Sequence, residues 1–175
     1  MESDFLGAQL HCTIRDRTDG RWIPMHDATG ISVPDGLTDL AEADVSAHRR
    51  ISALVRRAAE GRFRIRDLED SDDISAPVGD RLKQREFPSG IPWLAELRVR
   101  GTAPISGTRR QYRIYFGDVS HAHSQVKHRM VASQFDSKIS GRPGAKKQTD
   151  AMRRAAKALE HWCTTNSESP RRLAD

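Results

Sequence analysis

The residues from Trp93 to Trp162 constrain the fold most, because they contain three strand-like segments followed by one amphipathic helix. In the first segment, apolar and charged side chains alternate. The apolar set is Trp93, Ala95, Leu97 and Val99, and the charged set is Glu96, Arg98 and Arg100. Side chains that alternate with a period of two lie on opposite faces of a strand, so this pattern predicts a strand with one buried face.

Two further strands and a helix follow this segment. Residues 111–116 place Tyr112, Ile114 and Phe116 opposite Arg113 and Tyr115, and residues 128–135 have an apolar centre at Met130, Val131 and Ala132. Residues 148–162 change to a helical period. The apolar stripe of that helix comprises Met152, Ala155, Ala156, Leu159 and Trp162. Successive strands with short connections predict an antiparallel meander with the helix packed beside it.

The first half of the chain predicts a strand and a pair of helices. Residues 8–14 alternate as a strand, residues 37–41 have helical spacing, and Ile51 to Ala58 form a clearer helix that ends at Gly61. We therefore predict an α+β fold, in which a helical hairpin and a C-terminal helix pack on a small, mainly antiparallel sheet of about four strands.

The domain organisation follows from the same patterns. We expect a single domain over residues 1–163, with its core in residues 36–163 and an extended N-terminal segment before it. Residues 164–175 are polar and predict a flexible tail. The acidic residues from Asp67 to Asp73 lack the ligand spacing of a calcium loop and predict a solvated loop.

Charge is distributed unevenly along the chain. Residues 1–90 hold 13 Lys and Arg against 17 Asp and Glu, whereas residues 91–175 hold 16 against 7. The second half therefore has a net charge of +9, which indicates a phosphate-bearing partner or an acidic protein, or simply solvated faces. No apolar run approaches a membrane span, and the acidic N-terminus does not have the pattern of a secretory signal, so we expect a cytoplasmic protein. Cys12 and Cys163 are then expected to be reduced.

The central stretch resembles the RelE/ParE superfamily of toxins from type II toxin–antitoxin systems, and most closely the HigB-like, phage-derived branch. The resemblance is carried by Glu96-Leu97-Arg98, by Tyr112-Arg113-Ile114-Tyr115, by Phe135 with Lys138, and by the helix from Ala151 to Ala158. Three positions depart from the family pattern. Leu94 and Glu96 stand where lysines often occur, and Gln148 stands near the position of a tyrosine that often begins the last helix.

The resemblance implies an endoribonuclease that cuts messenger RNA on the ribosome and blocks translation. In that reaction a ribose 2′-OH attacks the adjacent phosphate without a metal or other cofactor. The implied partners are RNA, the ribosome and a cognate antitoxin with an acidic segment. Two alternatives remain open: a RelE-like module that binds nucleic acid or protein without catalysis, and a ParE-like gyrase poison.

Candidate site residues follow from the chemistry that this reaction requires. Arg113 is predicted to stabilise the charge of the transition state, and Arg98 and Lys138 to bind phosphate. His128 is a candidate acid or base, near His121 and His123, and Tyr115 could donate a hydrogen bond or stack on a base. We predict RNA backbone contacts from a basic strip that consists of Arg142, Lys146, Lys147, Arg153 and Arg154.

Each of these predictions has a structural alternative. The two strand arginines could form salt bridges with Glu96 or with the acidic loop, and Tyr115 could simply pack in the core. The three histidines lack the companion ligands of a zinc site, so no metal site is predicted.

Overall fold

The computed structural model describes residues 22–26, 30–60, 73–79, 82, 84–102, 107–120, 129–140 and 145–172. The strand predicted over residues 8–14, most of the acidic loop, the three histidines and Arg142 lie outside these ranges. The described elements are, in order, β1 (Trp22–Pro24), α1 (Val33–Ala43), α2 (Val45–Ala59), β2 (Ile74–Val78), a 3-10 turn (Gln84–Glu86), β3 (Leu94–Thr102), β4 (Arg109–Ser120), β5 (Arg129–Ile139), α3 (Ala145–Thr165) and β6 (Ser169–Pro170).

The α+β class is confirmed, but the sheet is larger than the sequence predicts. Six strands of the described residues take part: the order β1-β5-β4-β3-β2 forms the main path, and β6 pairs with the end of β4. The sheet is mixed, because β1 runs parallel to β5 whereas the other pairs are antiparallel. The count differs from the predicted four because β1, β2 and β6 are only three, five and two residues long, too short to show a clear period of two.

The predicted tail is also partly ordered. α3 extends to Thr165, and Ser169–Pro170 then pairs with the end of β4. The backbone N–H of Arg171 donates to the carbonyl of Asp118 at 2.9 Å, and Trp93 donates to the carbonyl of Arg171 at 2.7 Å. These backbone bonds hold residues 169–172 against the sheet, whereas the sequence predicts a flexible tail from residue 164.

Asp44 joins the helical hairpin to the sheet through hydrogen bonds of its side chain. Its carboxylate caps α2 by accepting from the backbone N–H of Ala47 at 2.9 Å, and it also accepts from the N–H of Thr102 at 2.8 Å. A capping carboxylate is favoured at a helix N-terminus because it satisfies an N–H that has no partner within the helix. The second bond fixes the start of α2 to the end of β3.

Both faces of the sheet are covered. The alternation predicted for the central strands holds, and Ala95, Leu97 and Ile114 pack under α1 and α2. On the other face, Leu94 and Tyr115 pack under α3. α3 lies close to β4 at Gly117, where an added Cβ would lie 2.1 Å from Leu159 Cδ2. The polar face of the strands is therefore also an interior surface over part of its area.

None of the described helices is long and apolar enough to cross a membrane.

Candidate functional site

Polar side chains gather on the face of the sheet on which α3 packs. They lie in three rows of directly paired residues across β3, β4 and β5, and directly paired residues point to the same face. We call the nine residues of these rows the polar patch: Glu96–Tyr115–Gln134, Arg98–Arg113–Asp136 and Arg100–Gln111–Lys138. Strand pairing thus brings together Arg98, Arg113, Tyr115 and Lys138, as the alternation predicts.

The centre of the patch is a buried ion pair. Glu96 Oε2 lies 3.3 Å from Arg113 Nε, and only 2% and 3% of the two side chains are exposed. Glu96 Oε1 lies 3.5 Å from Arg98 Nη1, and the Arg98 side chain is 29% exposed. Arg113 Nη2 donates to Gln111 Oε1 at 2.7 Å. Arg98 and Arg113 therefore both form salt bridges with Glu96, the structural alternative to a role in phosphate binding. Of these two arginines, only Arg98 is partly exposed to solvent.

Tyr115 is also buried. It is fully covered by the core beneath α3. Burial raises the pKa of its hydroxyl far above the ordinary value, and the nearby Glu96 carboxylate raises that pKa further. A residue in this place packs in the core and contributes no exposed ring for a base to stack on, so the packing alternative describes Tyr115.

Lys138 lies at the open end of the patch, in a cleft between β5 and the start of α3. This Lys138 cleft has a volume of about 250 Å³ and is lined by Asp136, Ser137, Lys138, Lys147, Gln148, Asp150 and Arg154. Lys138 Nζ donates to Gln148 Oε1 at 3.3 Å. The cleft is polar and open, with three cations and two carboxylates in its lining.

The pKa of the Lys138 ammonium lies below that of an exposed lysine. Burial lowers the pKa of the Lys138 ammonium, and the positive charge of Arg113 lowers it further. Glu96 and Asp136 act in the opposite direction but do not restore the ordinary value. A lysine with a lowered pKa releases a proton more readily than an exposed lysine, which is the property required of a general acid.

The remaining predicted residues divide between this cleft and the helix surface. Lys147 and Arg154 line the cleft, and Lys146 is exposed in the first turn of α3. Arg153 does not line the cleft. It forms an ion pair of 2.7 Å with Glu86 and one of 2.6 Å with Asp150, which is itself a lining residue. The basic strip is therefore only partly directed at the cleft.

Sequence reasoning missed Asp136 and Gln148 as members of the cleft. Asp136 stands two positions before Lys138, so the period of the strand places both on one face, and this signal was present in the sequence. Gln148 belongs to the first turns of α3, and only the packing of that helix brings it to Lys138.

The described residues define an α+β protein with a partly covered polar sheet face and a cleft lined by Lys138 at one end of that face. Within those residues, no group of three or more His, Cys, Asp or Glu side chains is placed to hold a metal ion. A scan against protein-family models and searches of curated proteins and of solved structures found no match.

Proposed function

We propose that this protein is a RelE-like toxin that cuts RNA at the Lys138 cleft without a metal, and that an acidic segment of an antitoxin covers the same surface. The observation that supports this most is the position of Lys138, a lysine with a lowered pKa in a cleft that also presents Lys147 and Arg154. A phosphate in the cleft would meet three cations, and one of them is tuned to give up a proton.

The proposed reaction is a transesterification. The ribose 2′-oxygen forms a bond to the neighbouring phosphorus, and the bond from phosphorus to the 5′-oxygen breaks, which leaves a 2′,3′-cyclic phosphate and a free 5′-OH. Asp136 takes the proton from the 2′-OH, and Lys138 gives a proton to the 5′-oxygen. Lys147 and Arg154 hold the phosphate oxygens, whose negative charge increases in the transition state.

Arg113 has a different role here from the one that its sequence position suggests. Its buried guanidinium cannot reach a substrate in this arrangement, but its charge lies close enough to lower the pKa of Lys138. We therefore propose that Arg113 acts through Lys138, as a positioning residue, and that Arg98 at the edge of the patch contacts the phosphate chain directly.

The decisive experiment is tightly controlled induction in a bacterial host, with RNA 5′-ends mapped after induction. Wild-type protein is expected to arrest growth and to create new internal ends in messenger RNA. Lys138→Ala is expected to abolish both effects. Lys157→Ala is the matched control. Lys157 lies in the same helix, α3, but does not line the cleft, and its side chain is 58% exposed. This variant should behave as wild type.

Purified protein supplies the complementary measurement. We expect cleavage of RNA in the presence of a chelator, products with cyclic phosphate ends, and no cleavage of RNA that carries 2′-O-methyl groups. Normal growth, with folded protein and no new RNA ends, would contradict the nuclease proposal. Arrest with DNA-damage signalling and intact RNA would instead favour the gyrase-directed alternative.

The buried ion pair favours a second candidate function. If Glu96 keeps Arg113 away from the substrate, the chain could bind RNA or an acidic protein without cutting it. Binding of RNA that Lys138→Ala weakens, together with no cleavage by wild-type protein, would support this binding module.

A further inference from the structure

A second cleft lies across the ends of the central strands, beside the start of α2. This arginine cleft has a volume of about 580 Å³ and is lined by Asp44, Ser46, Arg50, Arg100, Gly101, Thr102, Arg109, Arg110, Gln111 and Ser140. Four of these residues are arginines. They come from three different elements, so the fold, and not one local run of sequence, brings their charges together.

Three of the four arginines form no ion pair with a carboxylate of the described residues: Arg50, Arg109 and Arg110. Arg50 donates to the backbone carbonyl of Arg100, and Arg110 donates to Ser137 Oγ at 3.4 Å. Like charges held this close repel one another, and a bound anion would relieve that repulsion.

The carboxylate in the cleft is already occupied. Both oxygens of Asp44 accept backbone N–H bonds, from Ala47 and from Thr102, and the residue is only 7% exposed. Asp44 is therefore committed to joining α2 to the sheet, although its negative charge remains in the lining of the cleft. The four arginines outnumber this one carboxylate, so the lining of the cleft is positively charged.

One row of the polar patch connects the two clefts. Lys138 lines the first cleft. Gln111, which pairs with Lys138, and Arg100, which pairs with Gln111, line the second. The row crosses two strand spacings, about 10 Å. Arg110 continues the surface to the opposite face of the sheet, since it alternates with Gln111. A chain of phosphates could thus pass from Lys138 around the end of the sheet.

We propose that the arginine cleft binds the phosphodiester backbone of a single-stranded RNA whose reacting phosphate lies at Lys138. This inference rests on the proposed function for the identity of the strand. The planar fork of arginine matches phosphate oxygens in two parallel hydrogen bonds, and the described residues that line the cleft include no aromatic or large aliphatic side chain on which a base could stack. The cleft therefore fixes the path of the strand and does not select its sequence.

Fluorescence anisotropy with a labelled 2′-O-methyl RNA tests the proposal, because this RNA binds without being cut. The variant Arg50→Gln/Arg109→Gln removes two charges from the cleft. The control Arg49→Gln/Arg56→Gln removes two exposed arginines of α2 that line neither cleft. We expect the cleft variant to bind roughly tenfold more weakly and its salt slope to fall by about 1.4, at about 0.7 for each lost contact with a single strand. The control should lose much less affinity.

The length of the RNA adds a second readout. A dinucleotide is too short to reach from Lys138 into the arginine cleft, so the cleft variant and wild type should bind it equally. With cleavable RNA of greater length, the cleft variant should raise KM and leave kcat near the wild-type value, whereas Lys138→Ala should lower kcat. Circular dichroism and thermal unfolding establish that each variant is folded.

The outcomes separate this inference from the proposed function. Equal RNA binding by the cleft variant and its control would overturn the inference even if RNA is cut. Loss of binding to a polyglutamate peptide with unchanged RNA binding would also overturn it, because the cleft would then serve an acidic protein. RNA binding that depends on the cleft, without any cleavage by wild-type protein, would retain the inference for an RNA-binding module and reject the nuclease.

Discussion

At the scale of single residues, the pair formed by Glu96 and Arg113 determines what the polar patch can do. Both side chains are almost fully buried, and their charged atoms are 3.3 Å apart. Removing one partner of a buried ion pair leaves an uncompensated charge, which costs far more than the loss of an exposed pair. Arg113 should therefore tolerate substitution less well than Arg98, whose side chain is partly exposed.

We predict that Arg113→Ala lowers the free energy of unfolding by about 3–5 kcal/mol, because Glu96 then remains buried without its partner. Urea unfolding followed by circular dichroism measures this change. Arg98→Ala, whose side chain is 29% exposed, is the control and should cost no more than about 1 kcal/mol. The double variant Glu96→Gln/Arg113→Met should lose less than the sum of its single variants. Wild-type stability for Arg113→Ala would contradict the buried pair.

The predicted loss of stability in Arg113→Ala changes how growth assays of this variant are interpreted. The sequence suggests that Arg113→Ala would abolish toxicity in a folded protein, but the buried pair predicts that the variant is destabilised. Loss of toxicity in this variant would then reflect loss of folded protein as much as loss of chemistry. Lys138→Ala and Arg98→Ala are the informative variants.

A second prediction at this scale concerns the titration of Lys138. Its pKa should lie below 10.5, because burial and the charge of Arg113 both disfavour the ammonium form. The folded state then binds fewer protons than the unfolded state, so the penalty for the charged lysine is present at neutral pH and disappears as pH rises through the lowered pKa towards 10.5. The rate of RNA cleavage should fall over the same window, since the acid is lost.

Nuclear magnetic resonance of the lysine side chains measures this pKa directly. The ordinary lysine pKa of 10.5 is the reference. Lys138→Arg should lower the rate of cleavage at every pH, because an arginine keeps its proton and cannot act as the acid. A Lys138 resonance that titrates at 10.5 or above would show that the cleft does not lower this pKa.

The site could be predicted only in part, for a physical reason. Strand alternation places Arg98 and Arg113 on one face and Lys138 in register nearby, and strand pairing confirms that arrangement. The same alternation does not tell whether the polar face is exposed. Here α3 covers it at Arg113 and leaves it open at Lys138, which depends on where a helix distant in sequence packs.

At the scale of whole elements, the contact between α3 and β4 depends on the absence of a side chain at Gly117. Leu159 is fully buried, so its methyl groups have no free space to move into. A Cβ at position 117 would lie 2.1 Å from Leu159 Cδ2 and 3.0 Å from Cδ1, and the first separation is shorter than van der Waals contact allows. Close approach of the helix thus requires glycine here.

We predict that Gly117→Ala lowers the free energy of unfolding by about 1–3 kcal/mol, because α3 must move away from the sheet. Chemical denaturation measures the change. Combining it with Leu159→Ala should give a loss smaller than the sum of the two single losses, since the shorter side chain leaves room for the new methyl group. Additive losses would indicate that the two positions do not contact each other.

The elements themselves were predicted where their periodic pattern is long. β3, β4, α2 and α3 each contain enough residues to show their period, and they lie where the pattern places them. β1, β2 and β6 are short, and β2 contains Pro77, which is tolerated at the edge of a sheet but interrupts the pattern. Their place is set by pairing with residues far away in the chain, which no local window of sequence contains.

At the scale of the whole molecule, charge is concentrated where the sheet ends. The second half of the chain carries the net charge of +9, and both clefts draw on it. Phosphate contacts of this kind release counterions when RNA binds, so their number sets the dependence of affinity on salt.

We predict that the affinity for single-stranded RNA falls steeply with salt, with a logarithmic slope of about −0.7 for each phosphate contacted. Contacts from Lys138, Lys147, Arg154 and three or four arginines of the second cleft would give a total slope of roughly −4 to −5. Titrations at several potassium chloride concentrations measure it. An affinity that does not change with salt would exclude a phosphate-binding surface and favour an apolar or protein-specific partner.

The parallel pairing of β1 with β5 also determines the order in which the molecule can be assembled. Trp22 pairs with Met130, so the first described strand has no place in the sheet until the fifth has been synthesised. At about 5–20 residues per second, a ribosome takes on the order of 5–20 s to make the intervening chain. During that interval Trp22 and Ile23 have no native partner on β5, and the closing of so long a loop slows folding. Co-translational folding of this protein therefore cannot add β1 to the sheet before β5 has been made.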